Sequence, residues 1–195
     1  SKLTNNQTVF VDVGANIGIA SIILSKKSKY CLSFEPNVGS FNRLVKNIEI
    51  NNLNNVFPLR YCLYNETGFK DFTNTDYQAI NRLIDLNTHD GQVFSKEEGS
   101  TKVATNTFDN LITPLLENKI NPQQKILVKV DVETKEAFVL EGAKNFLKLK
   151  IPIIICVECV ERTQEEIFSM LSKFGFKRIN PPFGNDGHNF FFSNK

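Results

Sequence analysis

Val9-Phe-Val-Asp-Val13 is a β-branched, apolar run, and Gly14-Ala-Asn-Ile-Gly18 follows it directly. The run reads as a buried strand, and the glycines read as a tight turn into a helix over about 17–26. Glycine lets a backbone approach a ligand closely, and a helix start offers free N–H groups. Next along the chain, Tyr30-Cys-Leu-Ser-Phe34 reads as a second buried strand that ends in Glu35-Pro36. Proline cannot continue a ladder but suits the start of a helix. That helix is expected over 38–51, with Phe41, Leu44, Val45 and Ile48 on one face.

The same alternation continues to the end of the chain. Val56 to Leu63 reads as a third strand, Phe108 to Leu116 as a short helix, and Ile126 to Asp131 as a strand. A helix is expected over Lys135 to Leu149, then a strand over Ile153 to Val157. Thr163-Gln-Glu-Glu166 has the form of a capping box, opening a helix whose inner face is Ile167, Phe168, Leu171 and Phe174. Gly175 is its stop, and 176–179 with 189–192 read as an antiparallel pair joined by a Pro-Gly-Asn-rich turn. Strands alternating with amphipathic helices predict an α/β fold: a doubly wound, mostly parallel sheet with helices on both faces. Residues 64–106 break the pattern, being rich in Asn, Thr, Asp and Gly. That is too long for a structureless loop, so a β-hairpin or small lobe inserted into a single domain over 1–195 is expected there.

Composition narrows the function. Net charge is +2, with the basic residues scattered, which argues against a nucleic-acid partner. No apolar run approaches the roughly 20 residues of a membrane span, and the polar start predicts a cytoplasmic protein. Only Cys156 and Cys159 of the four cysteines have C-x-x-C spacing, and they sit inside an apolar run. They are expected to be small hydrophobes, not zinc ligands. Nothing in the sequence fixes the oligomeric state.

Glu35 lies about 20 residues past the glycine turn, at the end of the following strand. An acid placed there can accept hydrogen bonds from both ribose hydroxyls of an adenosine. The dinucleotide fingerprint wants G-x-G-x-x-G, but Asn16 takes the second glycine position and no third glycine follows Gly18 at that spacing. Asp12, just before the turn, would repel a pyrophosphate. It suits a ligand carrying an ammonium and a sulfonium, and S-adenosylmethionine (SAM) carries both. Asp12, Glu35, Asp131 and Glu158 each fall at or beside the C-terminal end of an expected parallel strand, so they share the rim where ligands bind. Lys129 is a charge inside an apolar strand, and its two-residue spacing from Asp131 puts both on one face.

At these residues the chain resembles the FkbM family of SAM-dependent methyltransferases. The likeness rests on Val11-Asp-Val-Gly-Ala-Asn-Ile-Gly18, Phe34-Glu-Pro-Asn37, Thr107-Phe-Asp-Asn-Leu111, Lys129-Val-Asp-Val-Glu133, Glu141-Gly-Ala143 and Asn189-Phe-Phe-Phe192. It implies a Rossmann-like, seven-stranded sheet with a reversed last hairpin, SAM as cofactor, and an oxygen acceptor on a sugar, glycan or polyketide-like molecule. Carried over, Asp12, Gly14 and Asn16 line the methionine end of SAM, with Gly18 completing the turn. Glu35 holds the ribose, Asn37 or Leu63 borders the adenine, and Lys129, Asp131 and Glu133 face the acceptor. Asp131, or else Glu133, is the expected base, with Lys129 steadying the alkoxide. A magnesium ion held by Asp131 and Glu158 is an alternative, though no third ligand is evident. One departure stands out: the family reads Lys-Ile-Asp-Val-Glu-Gly-x-Glu, whereas Thr134 and Lys135 follow Glu133 here and Glu136 keeps its place. That departure motivates a rival reading, a SAM- or nucleotide-binding module without catalysis. An NAD-dependent oxidoreductase is a further alternative.

Overall fold

The computed structural model describes residues 3–73, 83, 100–117, 124–181 and 187–195. Strand β1 (Val9–Val13) pairs in parallel with β2 (Tyr30–Phe34) on one side and β7 (Ile126–Val130) on the other. With β3 (Val56–Leu59), β8 (Ile153–Glu158), β9 (Lys177–Ile179) and β10 (Asn189–Ser193) they form a seven-stranded sheet in the order β3-β2-β1-β7-β8-β10-β9. Only β10 runs against its neighbours, pairing antiparallel with both β8 and β9. The sheet is thus the Rossmann-like, mostly parallel one expected, with its antiparallel C-terminal pair. The turn residues 182–186 that join this pair lie outside the described residues.

Apolar residues on both faces explain the two helical layers. Helices α1 (Ile19–Ser25) and α2 (Val38–Ile50) cover the first strands, with Leu44 and Ile48 packed against Phe10, Cys31 and Val56. On the other face Val11, Val13, Val128, Val130, Ile155 and Val157 meet α3 (Phe108–Leu111), α4 (Thr113–Glu117), α5 (Glu136–Glu141) and α6 (Glu161–Lys173). Phe168 of α6 stands edge-on to Phe190 and Phe192, 5.1 Å from each ring centre. The chain winds outward through β1, β2 and β3, then returns to place β7 on the other side of β1. That reversal opens a crevice at the strand ends, the usual ligand position in such sheets.

Three expectations are corrected. The third strand is not continuous over 56–63, because β4 (Cys62–Leu63) leaves the main sheet to join β5 (Gly68–Thr73) and β6 (Ser100–Asn106) in a second, three-stranded sheet. The helix after β7 ends at Glu141, not Leu149. Gly142 there lies so close to the second sheet that a Cβ would sit 2.2 Å from the Tyr64 carbonyl oxygen, and the chain turns into a short 3₁₀ segment over Phe146–Lys148. Thr163 does not cap α6 either. The helix starts three residues earlier than that, capped at Val160 with no side-chain bond, and Thr163 Oγ1 donates back to the Val160 carbonyl. Of the 64–106 stretch, β5 and β6 pair antiparallel, and Leu83 bridges to Phe72. Residues 74–82 and 84–99 lie outside the described residues. Tyr64 stacks on Phe138 at 4.8 Å and so fastens the second sheet to α5.

Candidate active site

An open cleft of about 130 Å³ lies at the reversal, lined by Gly14, Asn16, Glu35, Pro36, Cys62, Leu63, Phe72, Leu83, Asp131, Val132, Glu133 and Lys135. The turn after β1 builds its floor. Gly14 has φ +80°, and a Cβ there would stand 1.8 Å from the Asp131 carbonyl oxygen. Only glycine lets the ends of β1 and β7 come this close. Gly18 has φ +91° at the start of α1, where a Cβ would meet Leu44 Cδ1 at 2.4 Å. Its role is to seat α1 on α2, and it does not line the cleft.

Glu35 is 6% exposed, and both of its oxygens are held by main chain. Asn16 N–H donates to Oε2 at 2.9 Å and Asn37 N–H donates to Oε1 at 2.8 Å. Burial pushes the carboxyl up to about 7, although the two N–H groups pull against it. Each oxygen keeps a second lone pair for a ligand, so the pair fits the two hydroxyls of a ribose. Beside it Cys62, Leu63, Phe72 and Leu83 give an apolar wall of the kind an adenine needs. Asn37 does not reach the cleft wall. Its Oδ1 accepts from Ser40 N–H at 3.0 Å and caps α2.

Asp12 lies behind the cleft, fully buried under α1. Its Oδ2 accepts from Ser21 Oγ at 2.5 Å, and Ser21 in turn bonds Ser33 Oγ at 2.7 Å. Alternation along β1 explains the placement, since Val11 and Val13 face α5 while Asp12 faces α1. Burial raises its pKa despite the charge of Lys129, whose Nζ is 3.8 Å from Oδ1.

The end of β7 supplies the second set of charges. Lys129 Nζ donates to Asp131 Oδ2 at 2.8 Å, the pairing that their spacing predicts. Burial disfavours the Lys129 cation, but Asp12 and Asp131 outweigh it and hold the pKa above its ordinary value. Asp131 also lies within hydrogen-bonding reach of Glu158, at the end of β8. Burial alone would raise Asp131; the hydrogen bond with Glu158 and the charge of Lys129 reverse that and hold it below the usual carboxylate range. Glu158, bonded to Asp131 and partly buried, is pushed up to about 8.

The sequence reading did not mark Glu136 as a site residue. It is 2% exposed, and its Oε1 accepts from Val132 N–H at 3.0 Å and Thr134 N–H at 3.2 Å. Burial raises it to about 7. It pins a loop in which both Glu133 (φ +54°) and Thr134 (φ +75°) are left-handed. Its signals in the sequence were its place as the closing Glu of the family motif and its position in the first turn of a helix, and the latter reads equally as capping. Cys62, Phe72 and Leu83 in the wall had no signal at all, and Lys135 stood out only as part of the departure from the family motif. Cys31, Cys62 and Cys159 are buried thiols pushed up to about 12, and Cys156 is partly buried against the cluster of Phe10 and Leu44. Among the described residues no group of three or more His, Cys, Asp or Glu is placed to hold a metal ion, and no helix is long and apolar enough to cross a membrane.

A doubly wound, mostly parallel sheet with an acid-lined cleft at its reversal defines a Rossmann-like protein. The Methyltransferase FkbM domain matches residues 12–178, so the chain belongs to the FkbM methyltransferase family, and its cofactor is SAM. Among solved structures it is similar to the FkbM methyltransferase of Methylobacillus flagellatus KT, with TM-score 0.60 and 12% identity, over 97% of this chain and 44% of that one. A Streptococcus mutans protein assigned as a methyltransferase, in complex with SAH (SAM without its methyl), matches with TM-score 0.53 and 11% identity over 98% and 90%. An rRNA methylase from Streptococcus thermophilus matches with TM-score 0.50 and 11% identity over 98% and 88%. At these identities the likeness is one of fold. No curated protein matches the sequence.

Proposed function

We propose that this chain transfers the methyl group of SAM to a hydroxyl oxygen on a sugar, glycan or polyketide-like small molecule. The observation that supports this reading is the division of carboxylates around one cleft. Glu35 is held by backbone N–H groups at its nucleoside end, and Asp131 is held anionic by Lys129 at the end of β7.

SAM, when bound, supplies a methyl already activated by its sulfonium. The protein's task is therefore alignment, which can supply roughly 7–11 kcal/mol, and proton removal, which contributes about 10²–10⁴-fold. Glu35 fixes the ribose and so the reach of the methyl. Asp131 accepts a hydrogen bond from the acceptor hydroxyl and orients a lone pair of that oxygen. With SAM bound, a C–O bond would form as the C–S bond of its sulfonium breaks and S-adenosylhomocysteine leaves, and the acceptor oxygen's proton would become strongly acidic. A carboxylate below its usual pKa is then base enough to take it. Lys129 does not line the cleft, so its part is to hold Asp131 anionic and in place. Glu133 lines the same wall and is the second candidate for the base.

The test is transfer of isotopically labelled methyl from SAM, followed by mass spectrometry, over a panel of glycans, polyketide-like alcohols and ribosomal RNA. Label on a hydroxyl oxygen of a small molecule or glycan supports the reading. Label only on RNA, or on nitrogen or carbon, overturns it. Tight SAM binding with no transfer to any acceptor would favour the binding module.

A further inference from the structure

A polar row crosses the otherwise apolar sheet face under α1. Strand register sets Ser33 beside Asp12, Asp12 beside Lys129 and Lys129 beside Cys156, across β2, β1, β7 and β8. Two residues earlier on the same strands, Cys31, Phe10, Leu127 and Ile154 form the matching row, and all four belong to the hydrophobic core. Asp12, in the middle of the polar row, is fully buried. Its Oδ2 is held by Ser21 of α1, whereas Oδ1 is buried with no hydrogen-bond partner among the described residues. The opposite charge that Oδ1 faces is the Lys129 ammonium, 3.8 Å away. A carboxylate shut away from water is costly unless a cation meets it.

Lys129 thus stands between two carboxylates, Asp131 at 2.8 Å in the cleft wall and Asp12 behind it. Only Asp131 is placed to meet an acceptor. Once Asp131 has taken up a proton it is no longer an anion, and the largely buried ammonium would be left without a counter-charge. Burial disfavours the Lys129 cation, and Asp12 does more than Asp131 to hold it. We infer that Asp12 is a positioning residue acting through Lys129, keeping the ammonium charged and in place while Asp131 passes from carboxylate to carboxylic acid. The proton moves from the acceptor oxygen to Asp131, and Lys129 neither gives nor takes one. This rests on the assignment of Asp131 as base given above.

Asp131→Asn imitates the protonated base, because the amide keeps the shape of the acid and carries no charge. NMR titration of the Lys129 side chain in isotopically labelled full chain tests the inference there without any acceptor. The other titratable groups acting with Lys129 are Cys156 of β8 and Glu35 after β2, and both stay unaltered. Lys129 should remain an ammonium in Asp131→Asn and in Asp12→Asn, since one carboxylate is left in each. With both replaced it should lose its proton at a pH lower by about 2. Ser21→Ala in the Asp131→Asn background should move the titration the same way by less, and it serves where the double variant does not fold. In turnover, Asp12→Asn should lower kcat roughly 10-fold with SAM affinity within about twofold, and the loss should vanish in a Lys129→Met background. Lys129 titrating alike with and without Asp12 overturns the inference. An equal kcat loss in both backgrounds also overturns it, because Asp12 would then serve the fold alone, as does a matching loss of SAM affinity. Full activity of Asp131→Asn has a different meaning: the base assignment itself would be wrong, and this inference would fall with it.

Discussion

Glu35 and Asp131 stand in the wall of one cleft but are held in opposite ways. Both Glu35 oxygens take main-chain N–H groups from the two flanking turns. Asp131 is held by side chains, Lys129 Nζ at 2.8 Å and the Glu158 carboxyl. Backbone donors carry no net charge, so burial dominates at Glu35 and drives its pKa up to about 7. At Asp131 a full cation and a neutral carboxyl defeat burial and drive the pKa down. The first arrangement makes a rigid receptor that weakly resists ionisation. The second keeps a carboxylate charged and leaves its neighbour to titrate.

If Asp131 is the group that moves the proton, the largest effect of any substitution should fall there. Asp131→Asn is expected to lower kcat by about 10²–10⁴-fold while SAM affinity changes little. Full activity in Asp131→Asn would move the base to Glu133. A variant that loses SAM binding instead would erase the contrast, placing Asp131 among the donor contacts.

Removing the backbone-held carboxylate should have the complementary outcome. Glu35→Ala is expected to weaken SAM binding by roughly 10- to 100-fold, with the fold retained as judged by thermal melting. Because Glu35 titrates near 7, SAM affinity of the unaltered chain should also fall as pH drops from 8 to 6, when the carboxyl takes up a proton and attracts a cation less. In Glu35→Gln that slope should vanish. Without ligand the sign for stability is opposite. The folded state holds this proton more tightly than the unfolded chain, so Glu35 favours the fold near pH 5 and progressively disfavours it up to about pH 7. A flat SAM affinity across this range would detach Glu35 from the donor.

On the other side of the comparison the titrating group is Glu158. Below about pH 8 its carboxyl donates to Asp131; above it, that donor is lost and Asp131 becomes the stronger base. The charged groups acting on Glu158 are Asp131, Glu133 and Glu136, all of which raise it. Turnover should therefore rise a few-fold as pH passes about 8. Glu158→Gln should abolish the rise, because an amide still donates to Asp131 but never ionises. A rise that survives in that variant would assign it to another group.

The backbone-held half was largely legible in the sequence, and the side-chain-held half only in part. A strand, a glycine turn and an acid at the next strand end form a local pattern, so Val9–Gly18 and Glu35 could be read without tertiary information. Lys129 and Asp131 could be paired from period-two spacing alone. Asp12 was misplaced, because the strand carries an acid to its end without saying which face it takes, and it turned to Ser21 and Ser33 under α1. The break at Gly142 and the departure of Cys62–Leu63 from the main sheet have one cause. A second sheet, assembled from segments far apart in sequence, presses on both places, and no local period records that. Lys135 lies in the wall for the same reason: loop residues are aimed by tertiary packing.

Thr134 gives the smallest and sharpest contrast between the halves. On the donor side the left-handed positions of the turn are Gly14, Asn16 and Gly18, residue types that tolerate positive φ. On the β7 side the left-handed positions are Glu133 and Thr134, and Thr134 is β-branched, the kind of residue that tolerates it least. Its Oγ1 is buried and has no hydrogen-bond partner among the described residues. Such a conformation costs about 1–3 kcal/mol, and glycine would relieve it while losing up to about 1 kcal/mol through a freer unfolded chain. Thr134→Gly should therefore stabilise the protein by roughly 1 kcal/mol, raising Tm by about 2–4 °C. A Tm that stays level or falls would mean that the Glu136 clamp already absorbs the strain. The two turns would then differ in residue type but not in stored energy.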